Sequence, residues 1–220
     1  MPAIQLASGE VHSWCVRLDV PETAAGCYAA LSGDERNRSA RLRFTRDWRR
    51  FVVTRGVLRE LLGRYLRTHP GQVRFVYNPF GKPALSPEFG SRLTFNVSHS
   101  GDLALIAIAT DSDIGVDLEC IREQPDYVDI ARRFFSAAEV DQLNRLPSHL
   151  HAPAFLSCWT KKEAYVKARG EGLTLLPPAG EITPARGWSL YTLRPAPGYV
   201  GALVIRGSGW HLTQCRLSSL

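Results

Sequence analysis

The sequence predicts an α+β protein made of two subdomains of about equal size. Three observations carry that expectation. Each half of the 220-residue chain contains one long segment of helical character, Trp48 to Arg67 and Pro153 to Arg169. Each half also contains several short runs that alternate or are continuously apolar, as strands do. Between them lies Thr110-Asp111-Ser112-Asp113, a polar stretch where the chain can pass from one unit to the next. The expected subdomains are therefore residues 1–112 and 113–220.

Taken in order, Val11 to Val20 alternates as a strand. Ser32-Gly33-Asp34-Glu35 has the serine and glutamate of a capping box and opens a helix. Trp48 to Arg67 places Phe51, Val52, Leu58, Leu61, Leu62 and Tyr65 near helical spacing, and His69-Pro70-Gly71 ends it. Val73, Phe75 and Tyr77 alternate as a strand, followed by the turn-rich Asn78-Pro79-Phe80-Gly81-Lys82-Pro83. Leu93 to Val97 and Leu103 to Ala109 predict two strands around a turn at Ser98-His99-Ser100-Gly101. In the second half, Ile114 to Ile121 predicts a strand and Val128 to Phe134 a helix. Ser136-Ala137-Ala138-Glu139 is a second capping box, leading a helix that stops near Pro147. Pro153 to Arg169 is a longer helix with Gly170 as its stop. Strand-like runs follow around Trp188 to Leu193, Val200 to Ile205 and Trp210 to Leu217.

Composition narrows the function classes. Hydrophobic content of 45% and charged content of 22% are ordinary for a globular protein. The longest apolar run, Leu103 to Ala109, is far too short to span a bilayer, and the N-terminus lacks signal-peptide character, so a cytoplasmic protein without a membrane partner is expected. Cys15, Cys27, Cys120, Cys158 and Cys215 have no CxxC spacing and are odd in number, which argues against a disulfide framework or a zinc site. The net charge of +6 points to an anionic partner: nucleic acid, a polyphosphate or an acidic protein. Arginine supplies nearly all of that charge. Lysine occurs only at 82, 161, 162 and 167, a clustering that suggests specific work for a compact point charge.

Four constellations could carry chemistry. In Ile114-Gly115-Val116-Asp117-Leu118-Glu119, strand alternation sets Asp117 and Glu119 on one face, and two neighbouring carboxylates suit a hard cation such as Mg²⁺. A solvent-facing polar strand would read the same way. In Trp159-Thr160-Lys161-Lys162-Glu163-Ala164-Tyr165-Val166-Lys167, helical spacing puts Trp159, Glu163 and Lys167 on one stripe, as it also would a surface Glu–Lys pair. Phe95-Asn96-Val97-Ser98-His99-Ser100 offers hydroxyl and imidazole donors suited to phosphate oxygens, with no nucleophile elbow to support a serine hydrolase. Arg36, Arg38, Arg41, Arg43, Arg46, Arg49 and Arg50 form a basic run that mostly reads as a solvated helical face.

In this order, the segments resemble the Sfp-type 4′-phosphopantetheinyl transferases. The signature segments are Gly115 to Glu119 and Trp159 to Lys167, supported by Phe95 to Ser100, Gly81-Lys82-Pro83 and Phe134-Phe135-Ser136-x-x-Glu139. The resemblance runs from about Arg36 to Leu173. It implies two similar α+β halves related by a pseudo-twofold axis, with the active site in the cleft between them. It implies transfer of the 4′-phosphopantetheine arm of coenzyme A to a serine of an apo acyl or peptidyl carrier protein, with Mg²⁺, releasing 3′,5′-adenosine bisphosphate. Asp117, Glu119 and Glu163 are the implied metal ligands. Glu163, or a water it orients, is the implied base, and Lys167 steadies phosphate charge beside Asp117. Arg50, Lys82, Ser98, His99 and Lys167 are the implied coenzyme A contacts. The segment from Phe135 to Glu139 is expected at the floor of the site and the carrier contact. Several arginines between 36 and 50 are available for a further nucleotide contact. A monomer is expected, because the pseudo-dimer is internal, and nucleic acid is not an expected partner.

Two rivals fit part of the pattern. A Mg²⁺-dependent nuclease also needs Asp, Glu and Lys, but the restriction type sets Glu and Lys two apart on a strand, whereas Glu163 and Lys167 are four apart in a helical segment. A non-catalytic coenzyme A or carrier-protein binding module would not need Asp117, Glu119, Glu163 and Lys167 together.

Overall fold

The computed structural model describes residues 3–122, 127–170 and 187–217. The first half runs β1 (Glu10–Arg17), α1 (Pro21–Ala30), α2 (Gly33–Ser39), α3 (Thr45–Leu66), a short hairpin β2 (Phe75–Tyr77) and β3 (Pro83–Leu85), then β4 (Leu93–Ser100) and β5 (Leu103–Thr110). The second runs β6 (Ile114–Cys120), α4 (Tyr127–Phe134), α5 (Ala137–Asn144), α6 (Ser148–Arg169), β7 (Trp188–Leu193), β8 (Tyr199–Arg206) and β9 (His211–Arg216). The fold is α+β, as the sequence predicts.

The two halves repeat one topology. In the first, strand β1 leads to the 22-residue helix α3 and then to the antiparallel pair β4–β5, whose second strand returns to pair with β1. In the second, strand β6 leads to the 22-residue helix α6 and then to the antiparallel pair β7–β8, whose second strand returns to pair with β6. The sheet orders β4-β5-β1 and β7-β8-β6 are therefore equivalent. Such a repeat is what a pseudo-twofold relation between halves requires. The last strand, β9, crosses back and pairs in parallel with β1, extending the first sheet.

The local reasons follow from the sequence. Both capping boxes form: Ser32 with Glu35, and Ser136 with Glu139. Helix α3 ends on Arg67 in the left-handed region and α6 on Gly170, whose φ of 72° suits a residue without Cβ. The apolar run in β5 is buried on both faces. Ala104, Ile106 and Ile108 pack under α1 and α3, while Leu103, Leu105, Ala107 and Ala109 face Ile114, Val116 and Leu118 of β6 and Leu203 and Ile205 of β8. The two sheets thus share a core, and β4 and β6 run side by side along its edge.

Two expectations change, and one helix appears that the sequence does not signal. The Ser98-His99-Ser100 segment lies in β4 rather than in a turn, because the strand continues to Ser100 and only Gly101 and Asp102 turn. Helix α6 starts five residues before Pro153, which it accommodates as an internal proline. Helix α1 and its position under α3 had no amphipathic signal to predict them: Gly56 of α3 packs so closely on Cys27 of α1 that a Cβ there would overlap it. All five cysteines are free thiols.

Candidate active site

The seam between β4 and β6 brings the predicted carboxylates together. Val116 and Leu118 point into the shared core, so alternation turns Asp117 and Glu119 the other way. Helix α6 can lie directly on β6 because residue 115 is glycine: a Cβ there would strike the carbonyl of Ala164 and the amide of Ala168. That close approach carries Glu163 and Lys167, one turn apart on α6, to the same carboxylates.

Hydrogen bonds from β4 fix the strand face. Asn96 Oδ1 accepts from Val116 N at 2.9 Å, Ser98 Oγ donates to Asp117 Oδ1 at 2.8 Å, and Ser100 Oγ donates to Glu119 Oε2 at 2.8 Å. Ser100 Oγ also accepts from Cys120 N at 3.1 Å. Asn96 and Ser100 join the strand face although the sequence motif does not mark them as site residues. Their spacing two and four residues along one strand was the signal that would have placed them with Ser98.

Asp117 is 3% exposed. Its Oδ1 accepts from Lys167 Nζ at 2.6 Å as well as from Ser98, while its buried Oδ2 has no hydrogen-bond partner. Lys167 Nζ also donates to Ser98 Oγ at 3.0 Å. Burial raises the pKa of Glu119, with Asp117 adding to the effect and Ser100 and Lys167 opposing it. Burial, then the charge of Asp117, pushes Glu163 from 4.5 up to about 6, with Lys167 opposing. A group of carboxylates that resists ionising together, with one buried oxygen left bare, is a donor set for a hard cation that also takes phosphate oxygens. Among the described residues, no three His, Cys, Asp or Glu side chains are grouped so as to hold a metal ion by themselves. An open site completed by a phosphate-bearing ligand remains compatible with these residues.

The implied ligand contacts separate into two groups. His99 projects from the opposite face of β4, toward α3. Burial of its surroundings lowers its pKa below the ordinary value despite an exposed edge, Lys167 and Arg50 lower it further, and Asp47 opposes them. Arg50 Nη2 donates to Asp102 at 2.9 Å, and its buried Nε has no partner. Ser98 and Lys167 meet at Asp117, while Lys167 and Arg50 act electrostatically on His99 across the strand. Lys82, among the described residues, has no hydrogen bond to any of these four side chains, Ser98, His99, Arg50 and Lys167. Its ammonium donates to the carbonyls of Ile114 and Ala168, each at 3.0 Å, and burial lowers its pKa to about 8. Asn78 supports this arrangement by donating to the carbonyl of Gly170 at 2.8 Å and accepting from Lys82 N. This loop of the first half is thereby fastened to the start of β6 and the end of α6.

The segment from Phe134 to Glu139 is held on α6. Lys162, 1% exposed, forms an ion pair with Glu139 at 3.0 Å and lies over the Phe135 ring. Cys158 Sγ donates to the same carboxylate, and Trp159 packs edge-on against Phe134. Adjacent lysines thus differ: Lys162 is locked in the core, whereas Lys161 is not. Of the basic run, Arg36, Arg38, Arg41, Arg43 and Arg46 are exposed, as a solvated face would be.

Comparison with known proteins identifies the family. The profile described as 4′-phosphopantetheinyl transferase superfamily matches residues 113–199, and that described as 4′-phosphopantetheinyl transferase, N-terminal, matches residues 20–111. The chain is 42% identical over 221 residues to the 4′-phosphopantetheinyl transferase HetI of Nostoc sp., covering 95% of this chain and 93% of that protein. The chain belongs to the 4′-phosphopantetheinyl transferases. It is also 32% identical over 148 residues to a 4′-phosphopantetheinyl transferase of Bacillus subtilis, covering 67% of this chain and 63% of that one. The transferase AcpT of Salmonella typhi is 38% identical over 112 residues, 51% and 56% of the two chains. As a 4′-phosphopantetheinyl transferase the protein is an enzyme. The two profiles meet beside Asp113, where the second copy of the repeated topology begins. The resemblance drawn from the sequence extends to Leu173, which lies outside the described residues. No described helix of this transferase is long and apolar enough to cross a membrane.

Proposed function

We propose that this transferase moves 4′-phosphopantetheine from coenzyme A to a serine of an apo acyl or peptidyl carrier protein in a Mg²⁺-dependent reaction that releases 3′,5′-adenosine bisphosphate. The observation that carries this reading is the meeting of Asp117, Glu119, Glu163 and Lys167 at the seam between the repeated halves. Asp117, Glu119 and Glu163 would hold the metal, whose chemistry there is to neutralise the pyrophosphate as charge spreads over its oxygens. Glu163, directly or through a water it orients, takes the proton from the carrier serine Oγ. Its pKa of about 6 suits a base working near neutrality. The freed oxygen forms a bond to the pantetheine-bearing phosphorus as the pyrophosphate P–O bond breaks, and the nucleotide departs with that bridging oxygen. Lys167 supplies positive charge to the phosphate oxygens.

His99, Arg50 and Ser98 would hold the nucleotide and its 3′-phosphate. Lys82 would contribute through the one N–H that its two carbonyl partners leave available. The net charge of +6 suits an acidic carrier surface, and the cytoplasm is the proposed place of reaction. The test is incubation with coenzyme A, Mg²⁺ and a panel of apo carrier proteins, read by mass spectrometry. A mass gain of one phosphopantetheine on the carrier serine is expected. No gain on any carrier, with the protein folded and Mg²⁺ present, would refute the reading.

A further inference from the structure

Lys167 occupies an unusual position for a phosphate-binding lysine. Its ammonium is spent on the carboxylate that should hold a metal, 2.6 Å from Asp117 Oδ1. That oxygen has two lone pairs, and Ser98 at 2.8 Å uses the other. A metal can reach Oδ1 only by displacing one of these donors. A metal at the bare Oδ2 would instead share the carboxylate with a like-charged ammonium. Either way, Lys167 opposes the metal in the free protein.

Two further features show that the ammonium can leave. The Lys167 side chain is 30% exposed, whereas the neighbouring Lys162 is buried on its ion pair with Glu139. Lysine is also a single charge on a flexible stem, able to move between anions without a fixed geometry. Lys167 already acts electrostatically on His99, on the side proposed for the nucleotide.

We propose that Lys167 is the resident cation of the metal-free site and that coenzyme A licenses metal entry by drawing this ammonium from Asp117 onto its phosphates. This rests on the reading of the site as a magnesium centre for coenzyme A. Metal and coenzyme A then bind cooperatively, and each tightens the other by the same factor.

The experiment measures Mn²⁺ binding by electron paramagnetic resonance, with and without coenzyme A, in the native protein and in Lys167→Met and Lys167→Arg. Without coenzyme A, Lys167→Met should bind Mn²⁺ tighter than the native protein by about 5- to 150-fold, the ordinary range of such couplings. Lys167→Arg keeps the charge and should bind as weakly as the native protein. Coenzyme A should tighten Mn²⁺ binding to the native protein and do so much less in Lys167→Met. If Lys167→Met bound Mn²⁺ no tighter than the native protein without coenzyme A, the exchange would be refuted. Lys167→Gln serves as a second neutral variant. Should both neutral variants unfold without metal, the proposal requires Mn²⁺ to restore their circular dichroism, and failure to do so overturns it. A native protein that bound Mn²⁺ neither alone nor with coenzyme A would overturn the magnesium-centre reading itself. A native protein that bound it only with coenzyme A, beside an unimproved Lys167→Met, would overturn the exchange alone.

Discussion

Glu35 in α2 and Asp117 in β6 are each 3% exposed, one in either half, and each faces basic side chains. Their surroundings differ. Glu35 accepts from Arg55 at 2.9 Å through one oxygen, and from Arg59 at 2.6 Å and Ser32 N at 3.1 Å through the other. Arg59 in turn donates to the carbonyls of Pro70 and Val73, so the network closes on itself. Asp117 has one oxygen saturated and one bare, beside two carboxylates that resist ionisation. The first arrangement fastens α2 and α3 to the turn that follows them. The second leaves charge and bonding capacity for something the protein does not itself supply. A buried carboxylate is thus read by what its second oxygen does.

Breaking that contrast at the reacting groups should give the largest effect. Glu163→Gln keeps the side chain's shape and removes its basicity. Turnover should fall by about 10²- to 10⁴-fold, with a much smaller loss of coenzyme A affinity. Stopped-flow loading beside calorimetric binding separates the two, and an equal fall in both would make Glu163 an anchor and not a base.

Stability should follow the opposite residue. Removing one partner of a closed buried network costs about 3–5 kcal/mol, so Glu35→Ala should lose roughly that in denaturant titration. Asp117→Asn breaks the ion pair with Lys167, but it also relieves crowding among carboxylates and Lys167, 30% exposed, can turn to solvent, so its loss should be clearly smaller than that of Glu35→Ala. Equal losses in the two variants would erase the distinction.

His99 sharpens the comparison at the ligand end. A hydrogen bond to a charged group contributes about 1.5–3 kcal/mol, or roughly 10- to 150-fold in affinity. His99→Ala should weaken coenzyme A by some such factor and leave dephospho-coenzyme A nearly unchanged. Equal weakening of both would give His99 a supporting role in β4 only.

The smallest effect is on the pH dependence of the metal-free protein. Glu163 has a pKa of about 6 in the fold against 4.5 in the free side chain. Between those values the folded state binds more protons, so this group makes stability fall as pH rises through that window. Glu163→Gln should therefore melt higher than the native protein at pH 7 and lose that advantage below pH 4.5. An advantage that persisted at pH 4 would have another origin.

Much of this was legible from sequence. Local rules placed α3 within a few residues, both capping boxes, and Asp117 and Glu119 on one strand face, because each depends on neighbours in the chain. Helix α1 was not legible: Ala24, Ala25, Gly26, Ala29 and Ala30 give no apolar stripe, and its contact with Gly56 is tertiary. The pairing of β9 with β1 joins the two ends of the chain, which no local pattern encodes. Reading Ser98 to Ser100 as a turn hid the alternation of Asn96, Ser98 and Ser100 toward β6. The motif marks Lys82 as a ligand contact, but that two of its ammonium N–H groups go to backbone carbonyls is visible only in the folded seam.

The central claim is that the under-satisfied carboxylates of the second half serve a ligand while the closed network of the first serves the fold. Its most direct test is Mg²⁺-dependent loading of an apo carrier protein by Asp117→Asn and Glu35→Gln, compared at equal concentrations of folded protein. The account predicts near-native loading per folded molecule for Glu35→Gln and almost none for Asp117→Asn. Near-native loading by Asp117→Asn, or equal loss in both, would contradict it.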